Sequence, residues 1–359
     1  MRNRLIFAMT LAVVFGTVSC NKEEYGAPDK SKYVYDIPQT DLGRDVVTGA
    51  YYTNYTSAVS NKTPEEPILG LYKTSDAGVM SQHVAWADEA ALDFFVFSWN
   101  GSAEDDKLIA LFNSSRTAES NVKYVLRYDT GHLKITNEEP LQSEAKYRAL
   151  LSDFVDVLAD YMQSATYYSI DGRPVMVITP ANLSSSALLS VDFSKVIPRL
   201  KSDLKRFYAM DPYIIGEMGT GWVAPVNYAD HQVYSFDGMC LKEWKTRSYD
   251  LFYSFFSFMD LNWNNWKTTL QKRDVDFIPC CYPSYNDRVN TANSYYYTFS
   301  EDGNVDDYVN FCNVAKRNIG SHDIVLINSW NEWKNGTNLE PSLLKETKFL
   351  EETKAQFKK

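Results

Sequence analysis

The chain has little cysteine for its length and no excess of positive charge. Five cysteines among 359 residues are too few for a disulfide framework, and no CxxC spacing indicates a metal site. Acidic residues outnumber basic ones by 46 to 36, and the net charge of −10 argues against a nucleic-acid partner. After residue 19 no apolar run reaches the length of a membrane-spanning helix.

What is present is an ordinary globular composition with many aromatic residues. The sequence is 45% hydrophobic and 23% charged, which argues against disorder and coiled coil. Its 25 tyrosines and 8 tryptophans suit flat platforms for sugar rings, or equally a tyrosine-rich core. Composition alone does not separate these two interpretations.

The first 19 residues are typical of an export signal. Arg2 and Arg4 precede an apolar stretch, Leu5 to Phe15, that is too short to span a bilayer. Thr17 to Cys20 resembles a bacterial lipobox, so we predict that Cys20 becomes an acylated first residue, with a plain secretory signal as the alternative. The expected location is the outer membrane, facing the periplasm or the cell surface, with the acyl chain at Cys20 as the membrane anchor.

Four cysteines remain after Cys20, and we expect them to be small buried side chains. Cys240 and Cys312 stand apart, whereas Cys280 and Cys281 are adjacent in an apolar run. In a strand, adjacent residues face opposite sides of the sheet, so these two are expected to point in opposite directions.

Short apolar runs alternate with segments that carry apolar residues at helical spacing, such as Tyr147–Met162 and Phe193–Tyr208. Several runs are apolar at consecutive positions, as parallel strands covered on both faces are, and no glycine-rich phosphate turn follows the first. Eight such repeats predict an α/β fold, a (β/α)8 TIM barrel. The predicted strands are Val47–Tyr52, Phe94–Trp99, Lys123–Tyr128, Pro174–Thr179, Tyr213–Glu217, Gln232–Phe236, Asp276–Cys280 and Asp323–Ser329.

No repeat, linker or step in composition marks a second domain. We therefore predict a signal segment over residues 1–19, a polar tether over 20–41 and a single barrel domain over 42–359.

In such a barrel the functional residues stand at the carboxyl ends of the strands. The last predicted strand ends in Ser329-Trp330-Asn331-Glu332-Trp333, where an amide could hold Glu332 and the rings could shield it. A carboxylate in this setting can stabilise positive charge that develops on a sugar. The alternative for Glu332 is a salt-bridged loop residue.

The segment from Ser329 to Pro341 resembles the barrel-closing motif of glycoside hydrolase family 99, the endo-α-mannosidase family. Further matches run in order along residues 45 to 345 and include Leu69 to Tyr72, His83, Ile170 to Pro174 and Pro279 to Asp287. The resemblance implies a retaining hydrolase of α-mannoside glycans that uses no metal or organic cofactor. It implies that Glu332 assists the sugar 2-hydroxyl in attacking the anomeric carbon through a 1,2-anhydro intermediate.

The motif of that family carries a second glutamate, the general acid/base, and this sequence has Asn335 there. An amide cannot deliver a proton to a leaving oxygen near neutral pH. Three interpretations remain open: a glycan-binding pseudoenzyme, a hydrolase that uses another acid, or an enzyme for substrates whose leaving group needs no proton. The candidate acids are Glu217, Asp237, Asp287 and Glu340.

We predict substrate contacts at strand ends and at motif positions. For His83, packing within a helical segment is as good an interpretation as contact with substrate. Trp99 and Tyr52 end strands on the functional face, so we predict that they stack on sugars. Asn286 and Asp287 could hold a loop or contact hydroxyl groups. The full predicted set is Tyr52, Tyr72, His83, Trp99, Glu217, Asp237, Tyr282, Asn286, Asp287, Trp330, Asn331, Trp333 and Glu340.

Three functions therefore compete: a glycoside hydrolase, a glycan-capturing protein without turnover, and a structural lipoprotein without a ligand. A second carboxyl would favour the hydrolase if it lay about 5 to 5.5 Å from Glu332, as in a retaining pair, or about 6.5 to 9.5 Å away, as in an inverting pair. Absence of a cleft at the strand ends would favour the structural protein.

Overall fold

The protein is represented by a computed structural model that describes residues 34–180, 183, 184, 187, 190–217, 233–242, 255–292 and 297–359. The expected signal segment and Cys20 lie outside the described residues, as does most of the expected tether. Within the described ranges, no helix has both the length and the hydropathy that crossing a lipid bilayer requires.

A parallel sheet wraps into a nearly closed barrel. Its neighbour order is β8-β7-β6-β5-β3-β2-β1-β10-β9. Only Pro279 separates β8 from β9, and since β8 pairs with β7 while β9 pairs with β10, these two short pieces act as one strand that closes the ring. The strands are β1 Val47–Tyr52, β2 Phe94–Trp99, β3 Lys123–Asp129, β4 Ser169–Ile170, β5 Arg173–Thr179, β6 Tyr213–Glu217, β7 Gly238–Cys240, β8 Asp276–Ile278, β9 Cys280–Cys281 and β10 Ile324–Ile327.

Helices follow the barrel strands and cover the outside of the sheet. Asp76 begins the first of them by accepting hydrogen bonds from the Gly78 and Val79 amides, and the Ser102 side chain caps the second. The described helices are α1 Ala77–Glu89, α2 Ala103–Ser115, α3 Glu144–Asp153, α4 Ala159–Met162, α5 Phe193–Tyr208, α6 Phe255–Gln271, α7 Asp306–Asn318 and α8 Lys348–Phe357; a π-helical turn, Phe154–Leu158, joins α3 to α4. The predicted (β/α)8 barrel is confirmed.

Two apolar layers hold the barrel together. One fills its interior and contains Val96, Val177 and Cys280; the other lies between sheet and helices and contains Phe95 and Cys281. Cys280 and Cys281 thus face opposite sides of the sheet, as the alternation of side chains predicts. All four described cysteines are free and buried.

The short strand β4 forms a hairpin with β5 through Asp171 and Gly172. Both residues have positive φ, 51° and 78°, as a two-residue turn between right-handed twisted strands requires. The segment from Ile170 to Pro174 is therefore a structural turn.

Two sequence expectations need correction here. The sixth barrel strand was expected at Gln232–Phe236, but the strand lies at Gly238–Cys240, and the described residues before it form a turn. Residues 34–41, the end of the expected tether, lie against the barrel: the Tyr35 hydroxyl donates to Asp260 at 2.7 Å and the Thr40 amide to Asn313 at 2.8 Å.

Candidate functional site

The segment that follows β10 folds into a loop closed by backbone hydrogen bonds. The Ser329 amide donates to the Thr337 carbonyl at 2.8 Å, and the Glu340 amide donates to the Trp330 carbonyl at 2.7 Å. The Trp330 amide donates to the carbonyl of Tyr51 in β1 at 2.7 Å. Residues 331–336 form the tip of this loop at the carboxyl end of the strands.

A buried ion pair fixes the tip from behind. The Lys345 ammonium lies 2.6 Å from a Glu65 carboxylate oxygen, and both side chains are almost fully buried. Lys345 also donates to the hydroxyl of Ser284, which in turn donates to the Gly336 carbonyl. Gly336 has φ +60°, and a Cβ there would stand 2.8 Å from Pro64, so the turn needs glycine.

A cavity of about 300 Å³ opens at this end of the barrel. Its presence argues against a purely structural protein without a ligand site. Tyrosines, amides, hydroxyls, one lysine and one glutamate line it: Tyr51, Tyr52, Thr53, Asn54, Ser98, Lys242, Tyr282, Tyr285, Asn328, Ser329, Glu332, Asn335 and Thr337.

Glu332 is the one carboxylate among the described residues that line the cavity. One of its oxygens accepts a hydrogen bond from the Lys334 amide at 3.1 Å, and the Thr53 hydroxyl also bonds the carboxyl. Burial raises the pKa of the Glu332 carboxyl above its usual range, although the Lys334 amide and the charges of Lys242 and Lys334 act in the opposite direction. A raised pKa makes an ionised carboxylate a better proton acceptor.

Asn335 lies on the same loop and in the same cavity as Glu332. Its carbonyl accepts a hydrogen bond from the Asn286 amide at 2.8 Å, which fixes its backbone. Its side-chain amide makes no hydrogen bond with the described residues. The Asn335 amide is thus held in place and available to a ligand, but it carries no acid.

Tyr52 and Tyr282 also line the cavity, as the sequence predicts, whereas Lys242 was missed. Lys242 follows the sixth barrel strand by two residues. The expected strand ended at Phe236, so the sequence pattern gave no reason to place residue 242 at the rim. Its side chain lies over the Tyr51 ring, 5.0 Å from the centroid.

A buried polar network lies behind the cavity wall and joins α1 to the closing loop. His83 Nδ1 lies 2.9 Å from the Tyr52 hydroxyl, and its Nε2 lies 3.0 Å from a Glu340 oxygen, outside hydrogen-bond alignment. The other Glu340 oxygen accepts from the Tyr72 hydroxyl and, at 3.1 Å, from the Trp333 indole N–H.

These contacts correct the predicted roles of several motif residues. The Asn331 amide group bonds both the amide and the carbonyl of Thr53, at 2.7 and 3.1 Å. His83, Trp333, Asn331 and Glu340 are fully buried, Tyr72 is 5% exposed, and none lines the cavity, so they position the loop and are not substrate contacts. The packing interpretation of His83 therefore holds, and Glu340 is not available as the missing acid.

Glu217 ends β6 inside the barrel, beneath the cavity. Its carboxylate accepts from Arg127 Nε at 2.7 Å and from a second Arg127 nitrogen, and the Thr179 hydroxyl donates to it at 3.0 Å. Burial by itself raises the pKa of Glu217, but the Arg127 charge and hydrogen bonds outweigh it and hold this pKa below its usual range. A carboxylate neutralised in this way is neither a proton donor nor a substrate contact.

Asp237 lies at the opposite end of the barrel, which corrects its expected position. It precedes β7 instead of following a strand, and its carboxylate pairs with Arg173 at 2.9 Å and Lys201 at 2.8 Å. The same carboxylate accepts from the Ile214 amide at 2.9 Å. These contacts at the amino-terminal face tie strands together.

The predicted sugar stacking of Trp99 is also corrected. Its ring is 2% exposed and stacks on Tyr128 at 5.6 Å, with the His132 ring edge-on at 5.5 Å. Trp330 is fully buried and packs edge-on against Phe95 at 5.0 Å. Both rings belong to the core.

Asn286 and Asp287 hold their loop, one of the two alternatives that the sequence left open. The Asn286 side chain accepts from the Arg288 amide at 3.1 Å, and the Asp287 carbonyl accepts from the Asn290 amide at 3.0 Å. Asp287 is buried and does not line the cavity. None of the four candidate acids therefore reaches the described cavity.

Comparison with solved structures shows the same fold in proteins of low identity. A glycoside hydrolase-like protein is 24% identical and has a TM-score of 0.76, with 92% of this chain and 99% of that chain covered. The GH99 endo-alpha-mannosidase from Bacteroides thetaiotaomicron is 17% identical, with a TM-score of 0.64 and coverage of 87% and 96%. The catalytic domain of the GH26 endo-beta-1,4-mannanase from Bacillus sp. JAMB-750 is 10% identical, with a TM-score of 0.56 and coverage of 88% and 86%.

At the level of sequence, no curated protein matches the chain. A family model does match, and it extends over residues 53–353, from the cavity residue Thr53 to the last helix. Because this match covers most of the barrel and of the whole sequence, the chain belongs to the family described as Glycosyltransferase WbsX.

Proposed function

We propose that this protein is a carbohydrate-active enzyme that breaks the bond between an anomeric carbon and its leaving oxygen in α-mannoside-like substrates, with Glu332 as the catalytic carboxylate. One observation carries the proposal: Glu332 opens into a cavity lined by tyrosines and amides at the carboxyl end of a barrel. The family description names a transferase, whereas the solved structures of similar fold include hydrolases. Both reactions break this bond and differ in the acceptor.

In this mechanism Glu332 takes the proton of the sugar 2-hydroxyl, whose oxygen then attacks the anomeric carbon. Support comes from the raised pKa of Glu332, which favours proton uptake in the cavity. The Thr53 hydroxyl and the Lys334 amide orient the carboxylate. Tyr52 and Tyr282 are 4% and 2% exposed, so they form part of the cavity wall and do not present a free ring face to a pyranose.

The test is Glu332→Gln, which keeps the size of the side chain and removes the proton acceptor. We expect turnover of α-manno-oligosaccharides and of activated α-mannosides to fall by about 100- to 10,000-fold, as for loss of a general base. Glu346→Gln is the matched control, because Glu346 is exposed on the same closing segment and does not line the cavity. Equal turnover by Glu332→Gln and wild type would refute the assignment.

Glycan capture without turnover is the second candidate, and Asn335 is the observation that favours it. With no second carboxylate among the described cavity residues, the site has the binding surface but not the acid of a hydrolase. This alternative predicts micromolar to millimolar binding of manno-oligosaccharides and unchanged glycan after long incubation. Release of shorter sugars that depends on Glu332 would exclude it.

We further propose that the protein is an outer-membrane lipoprotein anchored through Cys20. The support is the sequence of residues 1–20, with its basic start, short apolar stretch and lipobox-like end. Labelled fatty acid should be incorporated into the wild-type protein and not into Cys20→Ser. Incorporation into both would refute acylation at this position.

A further inference from the structure

Lys242 is a cation held by its backbone at the wall of the cavity. Its carbonyl accepts a hydrogen bond from the Tyr282 hydroxyl at 3.2 Å and another from the Asn328 side chain at 3.2 Å. Tyr282 follows β9 and Asn328 follows β10, so the ends of three neighbouring strands fix the position of Lys242. Tyr282 and Asn328 line the same cavity.

Within the described part of the chain the Lys242 ammonium forms no ion pair, although its charge lowers the pKa of the Glu217 and Glu332 carboxyls. It lies over the Tyr51 ring, 5.0 Å from the centroid. Glu217, the nearest buried acid on β6, is already satisfied by Arg127 and Thr179. Glu332 keeps a raised pKa in spite of the Lys242 charge, so the lysine does not act as a tight counter-ion to it.

This arrangement has a consequence for the leaving group. An ordinary glycoside leaves as an alkoxide and needs a proton from an acid, which Asn335 cannot supply. A phosphate ester that reacts as its monoanion carries its own proton, leaves as the stable anion HPO4²⁻ and needs a fixed positive charge instead. A lysine ammonium, with three N–H donors and one charge, binds phosphate oxygens well.

We propose that Lys242 binds an anionic leaving group and that the substrate of this site is a glycosyl phosphate, a sugar whose anomeric oxygen belongs to a phosphate ester. This inference rests on the function proposed above and names its substrate class. Asn335 and Asn328 offer further N–H donors to the same phosphate.

The reaction then balances without a general acid. The ester reacts as its monoanion: Glu332 takes the proton of the 2-hydroxyl, the 2-oxygen bonds to the anomeric carbon, and the bond from that carbon to the phosphate oxygen breaks with its electron pair on the phosphate, which leaves as HPO4²⁻. Water or an acceptor hydroxyl next attacks the anomeric carbon and opens the three-membered ring. The 2-oxygen regains its proton from Glu332, and the proton of the attacking group passes to the released phosphate or to solvent.

The test compares the binding of α-mannose 1-phosphate, mannose and inorganic phosphate by calorimetry. We expect wild type to bind the sugar phosphate about 10- to 100-fold more tightly than mannose, because charge-assisted hydrogen bonds contribute this much. Lys242→Met should abolish the preference, because it should weaken binding of the sugar phosphate about 10- to 100-fold more than binding of mannose. Lys242→Arg should restore most of it, and Lys354→Met, on an exposed residue of α8, should behave as wild type.

Three results would overturn the inference: equal affinity for both sugars, a preference retained in folded Lys242→Met, or phosphate alone binding as tightly as the sugar phosphate. Glu332→Gln separates this inference from the proposed function, because it should keep the binding preference and lose turnover. If wild type prefers the sugar phosphate but turns nothing over, the proposed function fails while the binding site stands.

Discussion

Replacing Asn335 by glutamate tests whether the amide is what limits cleavage of ordinary glycosides. The Asn335 side chain makes no hydrogen bond with the described residues, and its backbone is fixed by the Asn286 amide at 2.8 Å, so the substitution breaks no described contact. The new carboxyl would share the cavity with Glu332. A neighbouring carboxylate and burial both raise the pKa of such a group, which keeps it protonated as an acid requires.

We expect Asn335→Glu to raise the rate of cleavage of unactivated α-manno-oligosaccharides by about 100- to 10,000-fold, the usual contribution of a general acid. This corresponds to about 2.7 to 5.4 kcal/mol of the activation barrier. Turnover of α-mannose 1-phosphate should not rise, because its leaving group needs no proton. The assay is release of reducing ends under single-turnover conditions.

Two control variants test whether the gain needs both the acid at position 335 and the carboxylate of Glu332. Asn335→Gln has the length of glutamate without the acid and should show no gain. Asn335→Glu combined with Glu332→Gln should lose the gain, since the acid acts only after the 2-hydroxyl is deprotonated. A folded Asn335→Glu protein that melts like wild type and cleaves no faster would refute the account of a lost proton donor.

Four further predictions concern Glu332 in the cavity and three charged residues around it. Lys345→Met should lower the free energy of unfolding by about 3 to 5 kcal/mol, because it leaves Glu65 as an unpaired buried charge. Urea denaturation measures this loss, and adding Glu65→Gln should recover part of it. Glu340→Gln should cost about 1 to 3 kcal/mol by the same measurement, because it weakens the acceptor of Tyr72 and Trp333, whereas exposed Glu346→Gln should cost almost nothing. Glu217→Gln should lower the free energy of unfolding at neutral pH, and its stability should approach that of wild type in acid. The reason is that the pKa of Glu217 is lowered in the folded state, so the ionised carboxylate stabilises the fold above the ordinary pKa of 4.5. This stabilisation is lost as the pH falls through the folded pKa. Glu332→Gln should raise the free energy of unfolding at neutral pH, because the pKa of Glu332 is raised in the folded state and its ionised carboxylate therefore destabilises the fold. This difference from wild type should vanish below pH 4.5, where the carboxyl is protonated in both states. Melting temperatures across pH 3 to 8 would test both glutamate variants, and a Glu217→Gln protein that stays equally destabilised in acid would contradict the assignment.

The barrel could be predicted from sequence because its strands are buried on both faces. Phe94–Phe97 and Ile324–Ile327 are apolar at consecutive positions, and this pattern can be read from the sequence without knowing which strands pair. Strand β7, the sixth strand of the barrel, could not be predicted, because it has three residues and begins with glycine. A Cβ at Gly238 would lie 2.9 Å from the end of the Ile278 side chain, which would have to move, whereas Val233 to Phe236 resembles a strand by composition alone.

Part of the site followed from the rule that strand ends form the functional face. The rule correctly predicted that Tyr52, Tyr282 and Glu332 line the cavity. It also selected Trp99 and Glu217, which point into the core. Whether a polar residue at a strand end faces a ligand or a neighbour depends on contacts distant in sequence. The pairing of His83 in α1 with Glu340 in the closing loop is such a contact, and no local pattern predicts it.

The two glutamates at strand ends show why partners, and not position, decide the chemistry. Burial raises the pKa of both carboxyls, but Glu217 has a bidentate arginine on β3, which β5 separates from β6 in the sheet, and Glu332 has only a backbone amide, a hydroxyl and two lysine charges. The carboxylate of Glu217 is therefore stabilised within the protein, at the expense of any reactivity. That of Glu332 remains less stable than in water, so transfer of a proton from a sugar hydroxyl costs less here than it would to an ordinary carboxylate. Glu332, whose carboxylate the fold leaves without a bound cation, is therefore the glutamate that can accept a proton from a substrate.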